Sequence, residues 1–149
     1  MPIRTAVVPL ADIFALRHRV LRPGLARATA EFAEDGRSGT FHLAAYEGDA
    51  PEVLGCITLF PDPLPGTSAT AHRFRGMASA PEARGRGYGA AVLAAATAEA
   101  AARGAELLWC NGRLAARGFY ERQGFAAMGE EFVIEGVGPH LVFVRKIEP

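Results

Sequence analysis

The chain has no net charge, few cysteines, no long apolar run and no lysine-ended phosphate loop, and each absence removes a class of function. Sixteen Lys and Arg residues balance sixteen Asp and Glu residues. A zero balance gives no general electrostatic drive toward nucleic acid or an anionic membrane, and no basic stripe interleaved with aromatics supplies a local one. Neither partner is expected. The two cysteines, Cys56 and Cys110, each sit in an apolar strand-like run with no C-x-x-C spacing and no nearby histidine. Buried free thiols are expected, with no metal site. The most apolar stretch, residues 90–102, is interrupted by Thr97 and Glu99. It falls short of the roughly 20 apolar residues that span a bilayer. The first residues lack the basic patch, apolar core and small-residue cleavage site of a secretory signal, so a cytoplasmic protein is expected.

What is present reads as one α/β domain over residues 1–149, long enough to bury a core, with half its residues apolar. Strand-like alternation covers residues 3–8, and Pro9 opens a helix to about Leu21, with Leu10, Ile13, Phe14, Leu16 and Val20 on one side. A short second helix is predicted over 26–33 and a turn-rich loop over 34–39. Residues 41–46 and 53–60 read as a hairpin, and 71–79 as a fourth strand. A long alanine-rich helix, 87–103, stops at Gly104. A fifth strand follows at 106–110, a helix at 115–123, and two last strands at 126–134 and 141–147.

Between the fourth strand and the long helix stands Arg84-Gly85-Arg86-Gly87-Tyr88-Gly89. Three glycines at alternate positions let backbone amides turn inward without a Cβ in the way. The following helix adds unpaired first-turn N–H groups and the positive end of its dipole. A pyrophosphate is the expected ligand, and a plain helix-capping turn is the alternative. The segment ends Gly89-Ala90-Ala91 rather than Gly-Lys-Ser/Thr, which argues against a nucleotide-triphosphate loop. Its G-x-G-x-G spacing differs from the dinucleotide G-x-G-x-x-G, and Glu106, at about the right distance to hold a ribose, starts its strand instead of ending it.

Arg84-x-x-Gly87-x-Gly89 resembles the acetyl-CoA loop of the GNAT family of N-acetyltransferases. Downstream, Arg113-x-x-Ala116-x-x-Phe119-Tyr120-x-x-x-Gly124-Phe125 is similar to the family's second signature, and Gly129-Glu130-Glu131-Phe132 through Gly138-Pro139-His140 resembles a subgroup of small bacterial members. The resemblance is good from about residue 70 onward and weak before it. It implies a mixed, mostly antiparallel sheet of about seven strands, splayed between strands four and five and flanked by about four helices. Acetyl-CoA would be the cosubstrate, with its pantetheine arm in the splay. By position, Met77, Ala78 and Ser79 would bind that arm, the amides of Gly85, Arg86, Gly87, Tyr88 and Gly89 the pyrophosphate, and Arg84 would add charge. Asn111 would bond the pantetheine or serve as a helix N-cap.

The resemblance also implies that Tyr120 protonates the departing thiolate; from its neighbours alone, Tyr120 reads as an aromatic packing residue. The fourth strand, His72-Arg73-Phe74-Arg75-Gly76-Met77, lacks the glutamate that many family members use as a base. Glu31, Asp35, His42 and His140 are the remaining base candidates, and Arg75 either binds an acidic acceptor or forms a salt bridge. The implied reaction moves an acetyl group to a primary amine by direct attack in a ternary complex. A non-catalytic CoA-binding protein on the same fold is the alternative. The acceptor, small molecule or peptide, is not legible, and a homodimer through the last strands is left open.

Overall fold

In the computed structural model, which describes residues 2–147, seven strands form one sheet. They are β1 (Ile3–Val8), β2 (Phe41–Glu47), β3 (Gly55–Pro61), β4 (Ala71–Ser79), β5 (Leu107–Arg113), β6 (Ala126–Ile134) and β7 (Gly138–Lys146). Their order is β1-β2-β3-β4-β5-β7-β6, and every neighbouring pair is antiparallel except β4 and β5. The helices are α1 (Leu10–Leu21), α2 (Tyr88–Ala102) and α3 (Arg117–Arg122).

Side chains alternate across a strand, so residues of opposite parity on β3 report which helix covers which face. Arg17 of α1 reaches Thr58, whereas the backbone of Tyr88, at the start of α2, comes within 3.2 Å of the Cβ position of Gly55. The two helices therefore cover opposite faces. Alanine at most positions of α2 keeps that helix narrow enough for this approach, and Val92, Leu93, Ala96 and Ala100 are fully buried against the sheet.

The larger differences from expectation are these. The segment 26–33 is not an α-helix: it forms a 3-10 turn, Arg27–Ala30, then an extended Glu31 and Phe32, then a second 3-10 turn, Ala33–Gly36. The Asp35 carboxylate explains the break, because it accepts the Phe32 N–H that a continuous helix would have used internally. With that segment removed and 3-10 turns elsewhere, three α-helices stand where about four were expected. β5 runs three residues beyond Cys110, since β7 supplies partners as far as Arg113↔His140. β7 correspondingly starts at Gly138. β3 begins at Gly55, although Leu54 still exchanges bonds with Ala45 and Ala80.

The parallel pair positions the site. β4 meets β5 only through Ala71↔Leu107, His72↔Leu108 and Arg73↔Trp109. Beyond Arg73 each strand stays with its outer neighbour, β4 with β3 to Ser79↔Gly55 and β5 with β7, while their inner edges part. A bulge in β4 accompanies the parting: the register jumps from Thr58↔Arg75 to Cys56↔Ala78, leaving one extra residue on β4. Gly76 sits there at φ 69°, a conformation that glycine adopts without strain.

Candidate active site

The three loop glycines do different work. Gly85 and Gly87 adopt φ 78° and 91°, which turns the backbone at the end of β4. Gly87 is the N-cap of α2 and no side chain caps it, so the first-turn amides point outward without an internal partner. Gly89 has ordinary backbone angles, but a Cβ there would stand 3.1 Å from Ser79 Oγ; it lets the helix start close to the end of β4. Arg84 is exposed at the head of the loop. Arg86 instead turns to Glu47 at the end of β2, and the buried Tyr88 places its hydroxyl 3.4 Å from the same carboxylate. The expected loop residues therefore split into backbone donors and side chains that anchor the loop to β2.

Met77, Ala78 and Ser79 lie on β4 past the point where β5 leaves, so their strand edge is open to an extended ligand. Asn111 lies across the opening on β5, opposite Val142. It is not a helix N-cap: those positions belong to Arg113 and Ala116. Glu106 accepts the Thr70 N–H at 2.9 Å and holds the start of β5.

Tyr120 sits on α3 beneath β5, 7% exposed. Its ring stacks on Phe143 at 4.6 Å and meets Phe74, Phe119 and Phe125 at 5.5–6.2 Å. A Cβ on Gly112 would come within 2.6 Å of the ring, so β5 is bare where the tyrosine lies. Burial, reinforced by neighbouring Cys110, pushes the phenol pKa upward, so its proton stays on at neutral pH. Cys56 and Cys110 are buried free thiols, and burial pushes each pKa up to about 12. Neither is a nucleophile at neutral pH.

The other face carries a buried polar network. Arg17, fully buried, donates to Asp35 at 2.8 and 3.0 Å, to the Ala30 carbonyl at 3.1 Å and to Thr58 Oγ1. His42 Nδ1 shares that hydroxyl at 2.8 Å. Burial lowers the His42 pKa; Asp35 opposes this and Arg17 adds to it. Phe32 lies between two guanidinium groups, Arg17 and Arg75, each 3.9 Å from its centre. It also packs under the β4 bulge, where a Cβ on Gly76 would stand 2.6 Å from its ring. Arg75 forms a salt bridge with Glu34 at 2.9 Å, so its charge is already matched.

These contacts sort the base candidates. Burial alone would raise the carboxyls of Asp35 and Glu34, but hydrogen bonds and the nearby Arg17 and Arg75 outweigh it and hold both below the usual range. Such carboxylates are poor bases. His42 is committed to Thr58. His140 is the third residue of β7, buried between Arg113 of β5 and Phe132 of β6 in register. Its Nδ1–H donates to the Gly138 carbonyl at 2.8 Å, which leaves Nε2 as the acceptor of the neutral ring. Glu31 is exposed at the rim of a cavity of about 390 Å³ between α1 and the 3-10 turns. A larger cavity, about 680 Å³, runs beside Asp12, Glu47, Glu52 and Glu82, acidic surroundings unsuited to a pyrophosphate.

Sequence reasoning missed Arg17, Thr58 and Phe32. A signal for Arg17 was present: it stands four residues after Ile13, on the apolar stripe of α1, where a charge must find a buried partner. Nothing in the local sequence marks Thr58 or Phe32, because both acquire their roles from β4 and α1.

The model of the acetyltransferase (GNAT) family matches residues 10–125, and the uncharacterized N-acetyltransferase YitI of Bacillus subtilis strain 168 is 32% identical over 94% of this chain and 93% of its own. The chain belongs to the GNAT family. It is accordingly an acetyl-CoA-dependent N-acetyltransferase. Solved structures agree with the GNAT fold. An acyl-CoA N-acyltransferase from Pseudomonas aeruginosa superposes with TM-score 0.75 at 20% identity, over 97% of this chain and 99% of its own. Escherichia coli ElaA gives 0.76 at 13% identity over 97% and 100%. A chain of the NatC complex, solved bound to Gag peptide and CoA, gives 0.75 at 16% identity over 99% and 100%. In GNAT terms, the parted β4 and β5 are the splay expected for the cosubstrate.

Proposed function

We propose that the protein transfers the acetyl group of acetyl-CoA to a primary amine by direct attack in a ternary complex. The observation that carries this reading is the juxtaposition of the open β4 edge, from Met77 to Ser79, with the uncapped glycine turn at the start of α2. The turn amides, with Arg84 beside them, hold the pyrophosphate; the edges of β4 and β5, with Asn111, hold the pantetheine. No cysteine serves as a covalent relay, since both thiols are buried and protonated.

In the reaction the amine first gives up the proton that makes it an ammonium. Its lone pair then forms the C–N bond at the thioester carbonyl, and the C–S bond breaks. Tyr120 donates its proton to the departing sulfur, and the proton lost from the new amide nitrogen restores the phenol through solvent. One proton is released overall. His140, whose Nε2 is the free acceptor, receives the amine proton through water.

Calorimetric titration with acetyl-CoA, with NAD and ATP as controls, tests the ligand: saturable binding of acetyl-CoA alone supports the reading, and a preference for NAD or ATP overturns it. Tyr120→Phe tests the acid. The variant is expected to bind acetyl-CoA as before and to lose about 100-fold in kcat; unchanged turnover removes Tyr120 from the mechanism.

A further inference from the structure

On the face of the sheet covered by α1, the arginines beside the α1–β2 segment are matched by acids. Arg17 meets Asp35, Arg75 and Arg37 meet Glu34, and Arg73 meets Asp62. Among the described residues Arg22, Arg27 and Glu31 form no salt bridge; Arg22 donates to the Leu21 carbonyl at 2.8 Å, which leaves Arg27 and Glu31. They stand four residues apart in the chain without meeting each other, and both line the cavity of about 390 Å³. The rest of its lining is apolar apart from Asp35, whose charge Arg17 matches: Leu10, Ala11, Phe14 and Phe32, with the Arg27 guanidinium 4.1 Å above the Phe14 ring. An unmatched cation and an unmatched anion over an aromatic floor suit a small zwitterion with an apolar body.

We propose that this cavity is the acceptor subsite and that it takes a free α-amino acid with an apolar or aromatic side chain. Arg27 receives the α-carboxylate, Phe14 and Leu10 receive the side chain, and Glu31 faces the ammonium before it is deprotonated. Phe32 connects the subsite to the chemistry, because one ring lines the cavity and also packs under Gly76 at the β4 bulge, beside the opening to β5. The inference rests on the acetyl-transfer reading. In that reaction the amino acid ammonium loses two protons, CoA gains one as its thiol, and an N-acetyl amino acid leaves with one proton released to solvent.

The test uses the full chain with acetyl-CoA and two acceptors, L-phenylalanine and L-phenylalaninamide, which differ only in the carboxylate. The KM for phenylalanine is expected to be about tenfold lower than for the amide, and Arg27→Gln should erase that difference while leaving acetyl-CoA affinity unchanged. Glu31→Gln should raise KM for both. Equal KM for the two acceptors, or an Arg27→Gln variant that still discriminates, overturns the proposal; a preference for the amide would point to a peptide N-terminus instead and overturns it equally. Direct titration of L-phenylalanine into the protein without acetyl-CoA separates this inference from the one beneath it. Binding lost in Arg27→Gln supports the subsite even if acetyl-CoA fails to bind, whereas acetyl-CoA binding with neither binding nor turnover of phenylalanine overturns the subsite alone.

Discussion

Arg17 is a fully buried guanidinium whose opposite charge comes from Asp35, eighteen residues away across two turns. The guanidinium is enclosed by Phe14, Phe32 and Thr58 and has no water to fall back on, while Asp35 keeps only a small face toward the cavity beside α1. Breaking such a pair by removing one partner strands the other, at a cost of about 3–5 kcal/mol. Asp35→Asn keeps the size and the acceptor for the Phe32 N–H but removes the charge, and it should lower stability by about that amount in urea unfolding. Adding Arg17→Met should recover much of the loss, because a neutral apolar side chain no longer needs the carboxylate. If the double variant is as unstable as Asp35→Asn, the network contributes through packing and not through charge. The residue scale also explains why Arg75 is a weak candidate for binding an acidic acceptor: Glu34 already satisfies it.

At the scale of elements, Tyr120, the proposed acid, depends on a strand that leaves room for it. Gly112 of β5 lies against Tyr120 and Phe143, and a Cβ there would come within 2.6 and 2.7 Å of the two rings. Phe143 is fully buried, whereas Tyr120 sits on the six-residue α3, so the tyrosine is the ring that yields. Gly112→Ala should therefore displace the phenol and lower kcat by about 100-fold, the order expected when a reacting group is misplaced by an ångström. Overpacking should cost about 1–3 kcal/mol in addition. Acetyl-CoA affinity, measured by titration, should largely hold, since the glycine turn and the β4 edge are untouched and pairing with β7 keeps Asn111 in place. The same scale accounts for the parting of β4 and β5: each is secured by its outer neighbour, so the inner edges open without either strand losing its place in the sheet.

For the whole molecule, the histidines and carboxylates whose pKa is lowered act in one direction with pH. His42 and His72 are lowered chiefly by burial, so the unfolded chain takes up protons on them near the ordinary histidine value while the folded chain does not. Stability from these groups is lost as pH falls from about 7 toward their folded values. Asp35 and Glu34 are held below the carboxylate range, so their contribution is complete above the unfolded value and is lost only as pH falls through the folded one. The urea midpoint should fall steadily from pH 7.5 through 5.5, where the histidines dominate, and again below about 4.5, where the carboxylates take over. A midpoint that stays level from 7.5 to 5.5 would mean that the imidazoles are as easily protonated folded as unfolded.

The amino-acid sequence by itself determined the alternation of strands and helices, the glycine turn before α2 and the placing of Tyr120 ahead of Gly124-Phe125. These are local: glycine spacing, apolar periodicity and alanine content act over a few residues, and each survives without knowledge of the rest of the chain. The sequence suggests a helix over 26–33 where no α-helix forms, whereas 34–39 is the turn-rich loop expected, because the conformation of this segment is dictated from outside. Asp35 holds Arg17 and the Phe32 amide, and Glu34 turns to Arg75 on β4. Likewise, Asn111 reads either as a pantetheine ligand or as a helix cap until β7 extends β5 past it, and His42 stands among the base candidates until its Nδ1 is tied to Thr58. Only the tertiary structure decided which charges were spent in pairs and which were left facing a cavity, because the partner of each buried charge is chosen by the packing of distant elements and not by its neighbours in the chain.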